Sequence, residues 1–266
     1  MAYNTSLEKL DTIIDLLSGG VVISISGAPV DLSGLVPYTG ATTNVNLGTR
    51  NLNANTMTAN VGDIVSLSAD IATIGSASDY VEVEPNGFVH LHGEAKAWYD
   101  ISMPAITLGT GAVNPSIVNI DNTSIKAYAF IGTGVIADEL HGGFELPHEY
   151  KEGSDLEMHL HWCPQTNDVG TVIWQLEYAW VNDGISISGS NIISTSAACT
   201  GTAWEVKTAD FSFISGAGKT IGGRFLYRLF RDPAHADDTY GFNAVLLEVG
   251  AHILVDAFGS RNEYTK

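Results

Sequence analysis

The sequence predicts a mainly β protein in three parts: a short N-terminal helix over residues 1–20, a thin trimeric shaft over 21–84, and a C-terminal antiparallel, jelly-roll-like β-sandwich over 85–266. The first observation is that nearly all of the five Trp, ten Tyr and nine Phe lie from Tyr80 onward, so only the later part can bury a large core. The second is that this later part holds about a dozen short runs of alternating apolar and polar residues, separated by clusters of Gly, Pro, Asn or Asp. Such spacing is typical of an antiparallel sandwich.

The N-terminal segment has the pattern of a short amphipathic helix. Thr5 or Ser6 can cap it, and Gly19 and Gly20 end it. Its apolar residues fall at spacings of three, four and three, which is the seam of a coiled coil. Two heptads are too few for a stable free coiled coil, so the helix either docks on its own domain, forms a small trimeric bundle, or anchors in a partner protein. The predicted oligomerisation residues are Leu7, Leu10, Ile14 and Leu17.

The shaft segment is polar with one sparse series of apolar residues. From Val21 to Tyr80 there are four Asp, one Arg and no Lys, and most other residues are Asn, Thr, Ser, Ala and Gly. So few large side chains cannot offset the entropy of ordering about sixty residues, unless several copies share one apolar axis. We therefore expect a homotrimer. Residues 61–74 fit either a heptad or extended structure, and their propensities favour the latter. The apolar series is Leu47, Leu52, Met57, Val61, Ile64, Leu67, Ile71 and Ile74.

Composition excludes several classes of partner. The chain of 266 residues has a formal net charge of −18, which argues against nucleic-acid binding and against contact with an anionic membrane. No run reaches the roughly 18 apolar residues of a membrane span, and the first residues lack the basic region of a signal peptide. Cys163 and Cys199 are expected to be reduced thiols in a protein made in a cytoplasm.

Histidines form the most specific candidate site. His90 and His92 make one His-x-His pair, and His159 and His161 make another. On a strand, residues two apart point to the same face, so each pair presents two imidazoles side by side, as a metal site requires. His252 on the last predicted strand can supply a third nitrogen. The predicted metal ligands are His159, His161 and His252, for Zn²⁺ or Fe²⁺; the alternative is a wet sheet face or an interface with no ion and no cofactor.

No complete catalytic set is visible, and we expect a protein that is not an enzyme. There is no Gly-x-Ser-x-Gly elbow, and the Gly-Lys-Thr at residues 218–220 lacks the earlier glycine of a phosphate loop, because Phe213 stands there. Residues 232–238, which hold three Asp, are expected to form a solvated loop. Exposed aromatics can form a carbohydrate platform, although core packing explains most of them. The candidates are Trp98, Tyr99, Trp162, Trp174, Tyr178, Trp180 and Trp204.

Part of one candidate strand resembles a cupin motif. Gly153, followed by five residues and then His159-Leu160-His161, is similar to the start of the first cupin motif. Cupins are jelly rolls that hold a metal with such histidines. The likeness ends there, since Cys163 to Thr166 stand where the cupin glutamate is expected. A cupin-like metalloenzyme is therefore an alternative function.

A broader resemblance is to bacteriophage tail-fibre and head-fibre proteins. Residues 35–59, which read LVPYTGATTNVNLGTRNLNANTMTA, are similar to segments that introduce a trimeric shaft, and residues 159–164, 170–182 and 225–266 resemble the globular heads of such fibres. The resemblance implies a homotrimer in the virion, attached to other virion proteins through its N-terminus and contacting a host surface or its glycans. A fibre-borne polysaccharide depolymerase is the second alternative.

Overall fold

The structure, a computed structural model, describes residues 72–135, 137–263 and 265–266. The predicted N-terminal helix, with Leu7, Leu10, Ile14 and Leu17, lies outside the described residues, as do residues 21–71 of the predicted shaft. Residues 72–74, for which the sequence left helix and extended structure open, belong to a strand.

Within the described residues the chain forms fourteen strands and two short 3₁₀ turns, and every strand pairing is antiparallel. The 3₁₀ turns span Gly93–Ala95 and Ala105–Thr107. The strands are β1 (Ala72–Gly75), β2 (Tyr80–Val83), β3 (Val89–His92), β4 (Ala97–Pro104), β5 (Gly109–Thr110), β6 (Ser116–Asn119), β7 (Lys126–Phe130), β8 (Glu139–Glu145), β9 (Leu156–Pro164), β10 (Val169–Val181), β11 (Asn191–Thr200), β12 (Lys207–Asp210), β13 (Arg224–Arg231) and β14 (Ala244–Val255).

Two sheets form the β-sandwich. The five-stranded sheet has the order β11-β10-β13-β8-β5, and the six-stranded sheet has the order β12-β9-β14-β7-β6, with β4 also paired to β14. From β7 to β14 the chain changes sheet at every connection except the one between β10 and β11. This double Greek-key path is that of a jelly roll, so the predicted mainly β, jelly-roll-like sandwich is confirmed for the described residues.

The core lies between the two sheets and is built by alternation along each strand. On β9, Leu156, Met158, Leu160 and Trp162 are all fully buried, whereas the residues between them belong to the other face. The opposing sheet contributes, among others, Trp174 on β10. Burying these large side chains is the main favourable contribution to folding.

A β-bulge on the last long strand reverses which side chains face the core. The β14–β9 register shifts between Leu246 and Glu248, so Leu247 is the extra residue. Leu246, before the bulge, is buried in the core, and so is the odd-numbered Ile253 after it. Without the extra residue, the even-numbered His252 would point inward. The bulge therefore places His252 on the outer face of the six-stranded sheet.

A small three-stranded sheet, β1-β2-β3, precedes the sandwich. The β2–β3 hairpin is tied to the C-terminal segment, because the Leu91 amide on β3 donates to the Asp256 carbonyl at 2.7 Å and Arg261 forms an ion pair with Glu84, which follows β2. The boundary between residues 84 and 85 falls in the turn that joins β2 and β3. The division into three parts stays a prediction.

Among the described residues, no helix has the length and apolar character needed to cross a membrane.

Candidate functional site

The outer face of the six-stranded sheet gathers polar and aromatic side chains from three neighbouring strands. β9 directs Glu157, His159 and His161 to this face, because the alternate residues of that strand fill the core. In the β14 register, His252 stands between Glu157 on β9 and Asp100 on β4. Directly paired residues point to the same side of a sheet, so these side chains meet.

His252 is held between two carboxylates. Its Nε2 lies 2.7 Å from Asp100 Oδ1, and its Nδ1 lies 3.2 Å from Glu157 Oε2. The His252 and Glu157 side chains are about one-third and one-quarter exposed, whereas Asp100 is 65% exposed. The imidazole therefore has a fixed orientation, with one nitrogen aimed at an exposed carboxylate.

His159 is almost completely buried, with 4% of its surface exposed, although it lies on the outer face. Its ring lies over Gly250, stacks on the His252 ring at a centroid distance of 4.3 Å, and meets the His161 ring edge-on at 5.1 Å. Its Nδ1 atom has no hydrogen-bond partner among the described residues. Burial lowers the pKa of His159, and the positive charges that His252 and His161 can carry lower it further, while Asp100 and Asp210 oppose the change.

The arrangement can hold a metal ion with a ligand set that differs in one residue from the predicted one. Asp100, His159 and His252 each offer one ligand atom, and these three atoms lie within 4.8 Å of one another. His161 is a ring neighbour of His159, and its Nδ1 lies 3.4 Å from the Thr208 hydroxyl. Two of the three predicted ligands, His159 and His252, thus lie close together, and Asp100, which lies far away in the chain, was not identified from the sequence.

The other His-x-His pair lies in the β2–β3 hairpin, where each ring pairs with a carboxylate. His90 Nε2 is 2.7 Å from Glu84 Oε1, and His92 Nε2 is 2.8 Å from Glu82 Oε2. The two ring centroids are 6.0 Å apart, and His92 also stacks on Tyr80. Both imidazoles of this pair are therefore engaged by carboxylates of the same hairpin.

Most of the predicted carbohydrate-platform aromatics belong to the core. Trp162 and Trp174 are fully buried, and Trp180 is 9% exposed. Tyr178 packs against the main core, and Trp204 packs against a smaller apolar cluster.

Trp98 and Tyr99 on β4 are the two platform candidates that are exposed, at 55% and 53%. Trp98 has an exposed partner that the sequence did not identify. Phe213, in the loop after β12, is 56% exposed, and its ring centroid lies 6.3 Å from that of Trp98. Phe211, two residues earlier, and Ile214, the next residue, are both buried. The local sequence Phe-Ser-Phe-Ile therefore does not indicate which of its two phenylalanines is exposed.

The Trp98–Phe213 pair borders a shallow depression of about 360 Å³. Its other lining residues are Gly153, Ser154, Asp155 and Leu254. Asp155 is exposed, and one of its carboxylate oxygens accepts a hydrogen bond from the Gly216 amide at 3.1 Å. The depression thus combines two exposed rings with a fixed carboxylate. Its Trp98 side adjoins the histidine cluster, because the Trp98 and His252 ring centroids are 6.3 Å apart.

The chain matches no protein-family model and no curated protein. Solved structures with some similarity include the CBM36-1 domain of a multidomain xylanase from the hindgut metagenome of Trinervitermes trinervoides, with a TM-score of 0.30, 10% identity, and coverage of 57% of this chain and 96% of that chain. The CBM22-2 xylan-binding domain from Paenibacillus barcinonensis Xyn10C has a TM-score of 0.28, 10% identity, and coverage of 57% and 98%. TmCBM61 in complex with β-1,4-galactotriose has a TM-score of 0.26, 14% identity, and coverage of 60% and 88%. Likenesses of this size carry no argument about what this chain binds.

Proposed function

We propose that this chain is a homotrimeric virion appendage, on the head or the tail of a bacteriophage, that attaches through its N-terminal residues and contacts a host surface glycan with its jelly roll. The fibre and trimer parts of the proposal are supported by the resemblance of residues 35–59 to phage fibre shafts and by the sparse apolar series of the polar segment. The proposal is of a binding protein, with no catalytic role.

The exposed Trp98–Phe213 pair carries the glycan part of the proposal. Leaving two large aromatic rings in water forgoes the free energy that their burial would provide, so such a pair is typical of a binding surface. A pyranose ring presents an apolar C–H face that can lie on the electron-rich face of an aromatic ring, and hydroxyl groups that need polar partners. The Asp155 carboxylate at the same depression supplies one such acceptor. The volume is at the lower end of the range of about 300–1,000 Å³ for small-ligand sites.

The test is binding of the purified full chain to a glycan array and to candidate host cells. Trp98→Ala and Phe213→Ala are expected to lower binding by roughly tenfold or more, because each removes one stacking surface. Phe258→Ala is the matched control, since Phe258 is also an exposed phenylalanine, at 74%, and does not line the depression. Equal binding of all three variants and the wild type would contradict the assignment of this face.

Two further measurements separate the alternatives. Sedimentation equilibrium at micromolar concentration is expected to give the mass of three chains, and a stable monomer would contradict the trimeric appendage. Release of reducing ends from host capsule would instead favour a fibre-borne polysaccharide depolymerase, and turnover of a small substrate that depends on bound metal would favour a cupin-like enzyme.

A further inference from the structure

The buried Nδ1 atom of His159 is the most unusual polar group on the outer face. Buried polar atoms in proteins are nearly always hydrogen-bonded, and one without a partner requires an explanation. His159 is 4% exposed, and in the part of the chain that the structure describes its Nδ1 has no partner within hydrogen-bonding distance. The ring is also held in place on three sides, by Gly250 beneath it and by the rings of His161 and His252. It therefore cannot turn to reach solvent without displacing its neighbours.

Two further ligand groups converge on this ring. Asp100 and His252 each place a ligand atom within 4.8 Å of a nitrogen of His159 and of each other. Two imidazoles with one carboxylate form a set that suits Zn²⁺ and related divalent transition metals. Because Asp100 is 65% exposed, the remaining coordination positions open towards solvent, where water or a ligand oxygen can fill them.

The surroundings of His252 also fit a metal ligand. A ligating histidine usually donates its other ring N–H to a carboxylate, which fixes the tautomer. Here Nδ1 of His252 faces Glu157 Oε2 at 3.2 Å, so Nδ1–H can donate to that carboxylate when Nε2 coordinates an ion. The charges agree as well, because the carboxylates of Asp100 and Glu157 contact His252, Asp210 is paired with His159 across the sheet, and a divalent cation would offset this negative charge.

We propose that Asp100, His159 and His252 bind one divalent transition-metal ion per chain, with Zn²⁺ as the reference ion and Glu157 as the residue that orients His252. Binding requires the present His252–Asp100 contact to open slightly, so that three ligand atoms approach the ion to about 2.0–2.2 Å. The site lies within a single chain, and so it does not depend on the proposed virion role or on trimer formation. It differs from the three-histidine set by exchanging His161 for Asp100.

The experiment is isothermal titration of the chelator-treated full chain with ZnCl₂ at pH 7.5, followed by elemental analysis after dialysis. We expect one Zn²⁺ per chain. Asp100→Ala and His252→Ala should each weaken binding by roughly tenfold or more, and Glu157→Gln should weaken it by about tenfold through loss of orientation. Asp100 is exposed, so its variant should keep the wild-type circular dichroism spectrum. The control is His90→Ala, which changes the other histidine pair and should leave this affinity unchanged.

Substitution with Co²⁺ gives a second readout that reports the ligands directly, since a four-coordinate ion with two imidazoles has visible absorption bands that Asp100→Ala should shift. The proposal is overturned by the absence of saturable Zn²⁺ binding up to about 100 µM. It is also overturned if His161→Ala abolishes binding while Asp100→Ala leaves it intact, because the three-histidine set would then be the correct one.

Discussion

Arg231 and Asp238 form an ion pair in which both side chains are completely buried. Arg231 Nη2 lies 2.7 Å from Asp238 Oδ1, and Nε lies 2.9 Å from Oδ2. The other donors of Arg231 reach the Phe242 carbonyl at 2.6 Å and the Tyr240 carbonyl, while Asp238 Oδ2 also accepts from the Ile173 amide at 3.0 Å. The pair thus fixes the loop that joins β13 to β14 against β10, although the sequence predicts a solvated loop there.

Asp238→Asn is expected to lower the free energy of unfolding by about 3–5 kcal/mol, because it leaves the buried guanidinium without a counter-charge. Urea unfolding of the full chain, followed by tryptophan fluorescence, measures this change. Asp237→Asn is the matched control, because Asp237 is the neighbour of Asp238 in sequence but is 81% exposed, so its substitution should change the free energy of unfolding by no more than about 0.5 kcal/mol. A loss below about 1 kcal/mol for Asp238→Asn would show that the pair contributes little to stability.

The two thiols are expected to be unreactive in the folded protein. Burial raises the pKa of both Cys163 and Cys199 to about 11. At pH 8 roughly one thiol in a thousand is then ionised, and the thiolate is the reactive form. A disulfide reagent such as DTNB should therefore modify neither cysteine quickly in the native chain and both rapidly in urea. Fast modification of one thiol without denaturant would mean that the strand carrying it opens readily.

Particular residues show how far the sequence predicted this fold and site. The alternation of HLHWC on β9 was enough to place His159 and His161 on one face, because period-two patterns depend on local geometry alone, whereas Trp162, a candidate for the carbohydrate platform, lies in the core. The bulge at Leu247 was not predictable, since nothing in the local sequence marks which residue of β14 loses its partner, and yet it decides the side on which His252 lies. Asp100 was missed for a related reason: its pairing with His252 depends on a strand register across about 150 residues.

The stability of the metal-free protein should depend on the ionisation of His159. Because burial lowers its pKa, His159 binds a proton more weakly in the folded than in the unfolded chain. Its contribution to stability is therefore complete above the unfolded value of about 6.5 and is lost as the pH falls towards the lower folded pKa. Urea unfolding at pH 7.5 and 5.5 should show a loss of stability that is smaller in His159→Gln. An identical loss in both proteins would assign the pH dependence to other groups.

Gly250 provides the space that the His159 ring occupies. A Cβ atom added at Gly250 would lie 2.2 Å from His159 Nε2, which is closer than real atoms approach, so the buried ring would have to move. We expect Gly250→Ala to cost about 1–3 kcal/mol of stability and to weaken Zn²⁺ binding. Gly241→Ala is the control, because a Cβ there meets no atom of the described residues within 4 Å. The two variants are compared by urea unfolding and Zn²⁺ titration, and equal behaviour would mean that the ring can shift freely.

The sandwich is expected to fold without the residues that precede it, and strand β4 sets the limit. The main core cluster begins at Ala105, but Ile101 and Met103 of β4 pack against it, and β4 pairs with eight residues of β14. A fragment of residues 86–266 lacks β1 and β2 but keeps β4, so it should be β-rich by circular dichroism. The longer fragment 72–266 retains the contact between His90 and Glu84. We expect the free energies of unfolding of these two fragments to differ by no more than about 2 kcal/mol. A fragment of residues 106–266 lacks β4, so the C-terminal half of β14 keeps its pairing with β9 but exposes its other edge, and the fragment should unfold or aggregate. Cooperative urea unfolding of the three fragments measures this order, and a molten 86–266 fragment would show that the β1–β2 hairpin is required for the sandwich to form.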